Sequence, residues 1–282
     1  MGYGDDLMIT AFARKLKETY PDRQIVIGNK DLKKAYDSDI FLNNPYITHS
    51  ANIDKTKPIH LINYHNFNRP YIDYKNSSTN IVWNRNFSPV PGEIYFNHKE
   101  EKKAEIIFKE AILYWEKNKS KKNKGVIFLE NFSTKINTAL KIRHINKNWG
   151  FENWNNLINI LKEDYLLIQS KHKETKKIDG VFLSKDEFNF REACAIIKKC
   201  DLFLGNEGGF SHASAALNKK AVVYFGGWIH PKTTGYEFHN NIFVDIKGSP
   251  CGAKLNICDH CNKCREIVTP DMIHQAIIKE IG

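Results

Sequence analysis

The clearest pattern in the chain is a series of short apolar runs, each closed by glycine or a polar residue and followed by a segment of helical spacing. Gly125–Glu130 (GVIFLE), Tyr165–Gln169, Val181–Leu183, Asp201–Gly205 (DLFLG) and Ala221–Phe225 (AVVYF) predict strands. Residues 151–163, 188–199 and 209–217 predict helices between them. The runs are continuously apolar rather than alternating, which fits a parallel sheet covered on both faces. The first part of the chain has the same rhythm in a weaker form. Leu7, Ile9, Phe12, Ala13 and Leu16 lie close to helical spacing over 7–19, and Tyr20-Pro21-Asp22 stops that helix. Strands are predicted at 24–28, at about Asp39–Leu42, at 59–63 and at 80–83, before a long amphipathic helix over 99–118. The polar stretch Lys117–Lys124 reads as a linker between two α/β units or as a solvated helix end. A last helix opens at Pro270 with Thr269 as its N-cap.

Composition narrows the function classes. The 282 residues are 41% hydrophobic, enough for one large domain or two ordinary ones. No apolar run approaches the roughly 20 residues that span a bilayer. MGYGDDLMITAFARKLKE has acids early and no apolar core, so no secretory signal is predicted and a cytoplasmic protein is expected. The net charge of +10 favours anionic partners such as phosphorylated glycans or an acidic membrane face, or else records a bias towards Lys and Asn. The cations are spread along the chain apart from 117–124, and no nucleic-acid motif or partner is predicted.

Three places carry candidate chemistry. Gly205-Asn206-Glu207-Gly208-Gly209 joins an apolar strand to a small-residue helix. Such a junction either cradles phosphate on backbone N–H groups or is simply a tight turn. Gly2-Tyr3-Gly4-Asp5-Asp6 is a second glycine-rich turn entering a helix, or a frayed terminus. Asn146-Lys147-Asn148-Trp149 precedes another helix, and its lysine either faces a diphosphate or is an ordinary loop residue.

Together these segments resemble glycosyltransferase family nine, the bacterial lipopolysaccharide heptosyltransferases. Gly4-Asp5 matches the G-D pair that opens the family's first helix, and Lys147-Asn148-Trp149 its K-x-W. Glu207-Gly208-Gly209-Phe210-Ser211-His212 matches D-T-G-x-x-H, followed by Ala215-Ala216-Leu217, Phe225-Gly226, Pro231 and Gly235-Tyr236. The resemblance implies a GT-B fold, two Rossmann-like α/β domains with parallel sheets facing a cleft. Residues 1–118 would form the acceptor side. Residues 125–282 would form the nucleotide-sugar side, with a final helix crossing back. It implies inverting transfer of a heptose-like sugar from a nucleotide diphosphate donor, ADP-heptose-like or other, to a saccharide or glycolipid acceptor. No metal is required for catalysis in this scheme, and peripheral contact with the anionic inner membrane face fits the charge. Asp5, beside Gly4, would be the general base. Lys147 and the N–H groups of Gly208, Gly209 and Phe210 would neutralise the leaving diphosphate. His212 would contact phosphate or brace the loop, and Phe188 would lie against the nucleotide base. Asp6 would cap the first helix.

Three departures from the family qualify these expectations. Glu207 and Gly208 replace the family's Asp and Thr, which leaves the donor's identity open. The family's first strand has no counterpart, so the native chain is expected to start upstream of Met1 or to be trimmed. The doubled acid Asp5-Asp6 replaces a single one. A protein that binds nucleotide or glycan without turnover is the alternative reading, and a metal-dependent nucleic-acid binder a third.

Cys194 and Cys200 lie in a helical pattern and are expected as core thiols. Cys251, Cys258, Cys261 and Cys264, with His260 among them, form a dense soft-ligand set in a loop before the last helix. Four thiolates suit a structural tetrahedral zinc; an iron–sulfur cluster and unliganded or disulfide-bonded thiols are the alternatives.

Overall fold

In a computed structural model, the described residues are 2–65, 68–131, 136–137, 142–143, 145–171, 178–253 and 258–282. Helix α1 (Tyr3–Thr19) opens four residues before the apolar pattern does, because Asp5 Oδ2 accepts the Gly2 N–H at 3.2 Å and closes a capping interaction. Strand β1 (Gln24–Asn29) pairs in parallel with β3 (Ile59–Asn63) and antiparallel with the two-residue β2 (Lys34–Ala35), giving a small mixed sheet of order β2-β1-β3. The strand expected at 39–42 is instead a 3-10 turn, Asp39–Phe41, capped by the Ser38 hydroxyl, which accepts the Ile40 N–H. Its Ile40 and Phe41 are apolar because they plug the core under α1. The strand expected at 80–83 is reduced to two single bridges, Asn80 with Ala253 and Ile72 with Trp83.

Helix α2 (His98–Asn118) starts at an Asn97–Glu100 capping box. Its buried stripe of Ala104, Ile107, Ala111 and Trp115 joins Val126, Phe128 and Ile168 in the core of the second sheet, and the helix packs along α4. The polar break at 119–124 therefore follows a helix that covers the second sheet.

The remaining elements in chain order are β4 (Val126–Glu130), β5 (Ile136–Asn137), β6 (Ile142–Arg143), α3 (Phe151–Leu161) and β7 (Leu166–Gln169). Then come α4 (Phe190–Lys199), β8 (Leu202–Asn206), α5 (Gly209–Ala216), β9 (Lys220–Gly226), α6 (Pro231–Thr234), β10 (Asn240–Phe243), α7 (Asp259–Ile267) and α8 (Pro270–Ile281). Five strands form an all-parallel sheet of order β10-β9-β8-β4-β7. β4, β7 and β8 are buried along their whole length, as the continuous apolar runs require. The chain leaves β4 towards β7 on one side, then returns to β8 on the other. That reversal puts a topological switch point between the carboxyl ends of β4 and β8, where open α/β sheets bind ligands.

Two expectations about the C-terminal segment fail. Helix α8 does not cross back: it packs on α3 and β9, and Ile273, Ala276 and Ile277 share a core with Trp149, Trp154 and Leu157. The cysteine segment is not all loop, since Asp259–Ile267 is the helix α7. Val181–Leu183 contributes one bridge, Phe182 to Ile168, rather than a strand. Cys194 and Cys200 are fully buried core thiols, as expected.

The two sheets meet where α1 packs on α5. A Cβ on Gly4 would lie 2.7 Å from the His212 ring, so glycine lets the first turns of the two helices touch. Arg191 on α4 fastens the other side. Its guanidinium is buried, ion-paired with Glu100 at 2.5 Å, and donates to the Asp39 and Tyr95 carbonyls. Among the described residues no helix is long and apolar enough to cross a membrane.

Candidate active site

A cavity of about 270 Å³ opens between the first turns of α1 and α5 and the carboxyl ends of β4 and β8. Its volume is at the small end for ligand pockets, enough for part of a nucleotide sugar. It brings together Gly4, Asp5, Lys147, Glu207, Gly208, Gly209, Phe210 and His212, eight of the nine residues expected in the active site.

Asp5 is buried on the α1 wall. The Tyr71 hydroxyl donates to its Oδ1, the Arg69 Nε lies 3.3 Å from its Oδ2, and the Gly2 N–H donates to the same oxygen. Burial and the Asp5 charge push the Tyr71 phenol well above its usual value, so it stays a neutral donor. Asp6, the next residue, points elsewhere. It accepts from Ser38 at 2.7 Å, Tyr64 at 2.8 Å and Tyr36 at 3.2 Å. It does not cap α1, which Asp5 does; burial raises its pKa despite the hydroxyls that oppose the shift.

On the opposite wall Lys147 forms a short ion pair with Glu207 and stands 4.5 Å above the Trp228 ring, within cation–π range. His212 Nε2 is 3.9 Å from the other Glu207 oxygen, and its Nδ1 is 2.8 Å from the Tyr236 hydroxyl. Burial pushes the Glu207 carboxyl up, but Lys147 and His212 outweigh it and hold it below its usual value. Glu207 thus fixes Lys147 rather than facing the cavity as a free acid. In the α5 turn, the Gly208 N–H donates to Ser211 Oγ at 3.2 Å, so the Gly209 and Phe210 N–H groups carry the open end of the helix. A Cβ on Gly208 would meet nothing within 4 Å, which leaves the backbone open to an incoming group.

Phe188 is the exception. It is buried in the core under the second sheet and does not reach the cavity. Helix α4 starts only at Phe190, with Asn189 as its cap, and Phe190 takes the cavity position. Its ring stacks on Tyr3 and on Phe210, each 4.6 Å away centroid to centroid. Sequence reasoning missed Arg69, Tyr71, Trp83, Phe190, Asn206 and Trp228. Of these, Asn206 lay inside the quoted glycine motif, and Arg69 and Tyr71 sit in a loop with no pattern to mark them.

The soft-ligand cluster differs from four cysteines. The ligand atoms of Cys251, Cys258, His260 and Cys261 lie within 4.8 Å of one another. Cys264 points into the core beside Gly227 and is not in that group. On helix α7, Cys261 and Cys264 are three residues apart. Cys261 faces Cys251 at 3.2 Å, and Cys264 Sγ lies 3.9 Å and 3.8 Å from the His260 Nδ1 and Nε2. A metal–sulfur bond of about 2.3 Å sets sulfurs in a tetrahedron about 3.8 Å apart. Cys251 and Cys258 match that spacing at 3.8 Å. The donor set of three thiols and an imidazole fits a tetrahedral soft metal. The cluster also abuts the cavity wall: the Cys258 N–H donates to Asn146 Oδ1, next to Lys147, and the Trp228 Nε1–H to the Ala253 carbonyl.

Residues 96–262 match the family model described as glycosyltransferase family 9 (heptosyltransferase). The chain belongs to glycosyltransferase family 9. The transferase is also similar in fold to solved structures. A family 9 glycosyl transferase from Veillonella parvula aligns with a TM-score of 0.64 and 14% identity, covering 100% of this chain and 94% of the other. The iron-containing dodecameric glycosyltransferase TibC from enterotoxigenic E. coli aligns at 0.60 and 13% identity, covering 99% and 74%. No match is found among curated proteins. The fold is therefore GT-B and the chain a glycosyltransferase of the heptosyltransferase type, as the quoted motifs implied.

Proposed function

We propose that the transferase moves a heptose-like sugar from a nucleotide diphosphate to a saccharide or glycolipid hydroxyl, with inversion and without a catalytic metal. The observation that carries this is a single cavity with a carboxylate on one wall and a lysine plus an open helix N-terminus on the other. Those are the two charge requirements of a direct displacement. The acceptor oxygen attacks the anomeric carbon as the carbon–oxygen bond to the diphosphate breaks. The acceptor proton passes to Asp5, and the electron pair leaves on the diphosphate, where Lys147 and the Gly209 and Phe210 N–H groups meet the growing charge. An acceptor hydroxyl can take the Tyr71 position on Asp5, because one neutral donor then replaces another. ADP-heptose is the first donor to test, and the formal charge of +10 fits an acceptor at an anionic membrane face.

Cys251, Cys258, His260 and Cys261 would hold a structural zinc or iron, tying the Lys147 loop to helix α7. The iron in TibC belongs to that protein, but a similar fold with iron supports testing both metals here.

The alternative, binding without turnover, draws support from one feature: Lys147 is already neutralised by Glu207. Thermal-shift screening of nucleotide sugars, followed by product detection with oligosaccharide acceptors, separates the two. Transfer that is lost in Asp5→Ala and Lys147→Ala supports the enzyme. Stabilisation by a donor with no product across the acceptor panel supports the alternative.

A further inference from the structure

Asn206 is the last residue of β8, at the topological switch point, paired with Tyr224 of β9 one step beyond the Gly205–Glu130 pair. It is 5% exposed and lines the cavity. Among the described residues, neither its Nδ2 nor its Oδ1 has a hydrogen-bond partner. A buried amide with both ends unpaired is rare, because each end gives up water with nothing in return. Such a group at the floor of a ligand cavity is a half-made contact.

We propose that the Asn206 amide binds adjacent hydroxyls of the transferred sugar and so helps to determine which donor the transferase accepts. The inference rests on the donor reading above. The chemistry of the amide selects the ligand class. It offers N–H donors and a carbonyl acceptor side by side, and two neighbouring hydroxyls can satisfy both. A phosphate has only acceptors and would face the carbonyl oxygen, so the diphosphate is a poor match. The ribose of the nucleotide also carries adjacent hydroxyls, but position argues against it. Asn206 shares its small cavity with Asp5, which must lie at the reacting end of the donor, and it directly precedes Glu207, which fixes Lys147. The group between the diphosphate and the general base is the transferred sugar.

The test is calorimetric titration of wild type, Asn206→Ala and Asn206→Leu with three pairs: ADP and ADP-heptose, UDP and UDP-glucose, GDP and GDP-mannose. For the pair that wild type binds, Asn206→Ala should weaken the nucleotide sugar by about tenfold to a hundredfold, as expected for two lost hydrogen bonds. The bare diphosphate should change less than about twofold, within the variation that neutral substitutions show. Asn206→Leu keeps the size of the side chain and adds no charge, so it should fold even if the alanine variant leaves a void, and should show the same selective loss. Equal losses for sugar and diphosphate would assign Asn206 to ribose or to the loop and overturn the inference, as would no loss in either variant. A wild type that binds none of the six overturns the donor reading itself, and this inference with it. Binding of a diphosphate without preference for its sugar form leaves the donor fold intact but overturns the role of Asn206.

Discussion

The two walls of the cavity solve the same electrostatic problem in opposite ways. On the α1 wall the working group is an acid, Asp5, and the cation Arg69 is its support. On the β8–α5 wall the working group is a cation, Lys147, and the acid Glu207 is its support. The supports differ in kind. Asp5 also takes neutral donors, the Tyr71 hydroxyl and the Gly2 N–H, whereas the Lys147 ammonium is the main partner of Glu207, with His212 and the Thr234 hydroxyl beside it. A neutral partner can be exchanged for a substrate hydroxyl without stranding a charge. A charged partner cannot, because a buried ion left alone is costly. The acid wall is therefore arranged for proton exchange, and the cation wall for holding a fixed charge until a diphosphate competes for it.

The sharpest way to break this comparison is to neutralise the acids one at a time. Asp5→Asn should lower kcat by roughly 10²–10⁴-fold in initial-rate assays, and should also lower the melting temperature because Arg69 loses its counter-ion. Asp6→Asn, which disturbs only the Tyr36, Ser38 and Tyr64 hydroxyls, should lower the melting temperature and leave kcat within about twofold. The reverse pattern in kcat would move the base to Asp6. Lys147→Ala should cost roughly 10²–10³-fold in kcat, the scale of a lost charge stabiliser. It should also leave Glu207 buried without its lysine. The double variant Lys147→Ala/Glu207→Gln should therefore melt above Lys147→Ala in calorimetry; a lower melting point would mean that Glu207 supports something else.

The pH dependence of stability sharpens the second wall. The folded Glu207 carboxyl lies below its usual value, so it contributes stability above the ordinary glutamate range. That contribution is lost as pH falls through the depressed folded value. Denaturant melts between about pH 6 and pH 3 should show wild type losing stability faster than Glu207→Gln; parallel curves would contradict the ion pair. The smallest effect concerns the soft-ligand cluster. Protein purified without added metal should carry close to one equivalent of zinc or iron, and Cys258→Ser should lose it while Cys264→Ser keeps it. Retention by Cys258→Ser with loss by Cys264→Ser would restore the four-cysteine reading.

The difference between the walls also explains which residues the sequence made legible. The charged groups of the cation wall lie in short motifs at strand-to-helix junctions: Lys147 before α3, and Glu207 to His212 from the end of β8 into α5, whereas Trp228 under Lys147 follows β9 outside them. Backbone geometry alone delivers such residues to one edge of a sheet. On the acid wall only Gly4-Asp5 was legible, because it opens a helix. Arg69, Tyr71 and Trp83 come from a segment with little regular pairing, and only folding across the sheet brings them to Asp5 and Trp228. The misplacement of Phe188 has the same origin. Two phenylalanines flank Asn189, and the cap at Asn189 decides which one enters the helix and the cavity.

The periodicity of the chain by itself determined the parallel sheet, because strands buried on both faces must be continuously apolar. Its motifs determined the two helix openings that face each other. Tertiary structure alone decided that α2 covers the second sheet, that α8 stays with it, and that Cys264 turns away from the Cys251, Cys258, His260 and Cys261 cluster into the core. Sequence spacing fixes which residues share a face of an element. Which neighbour that face meets depends on contacts between residues far apart in the chain, and those are settled only when the apolar faces are buried together.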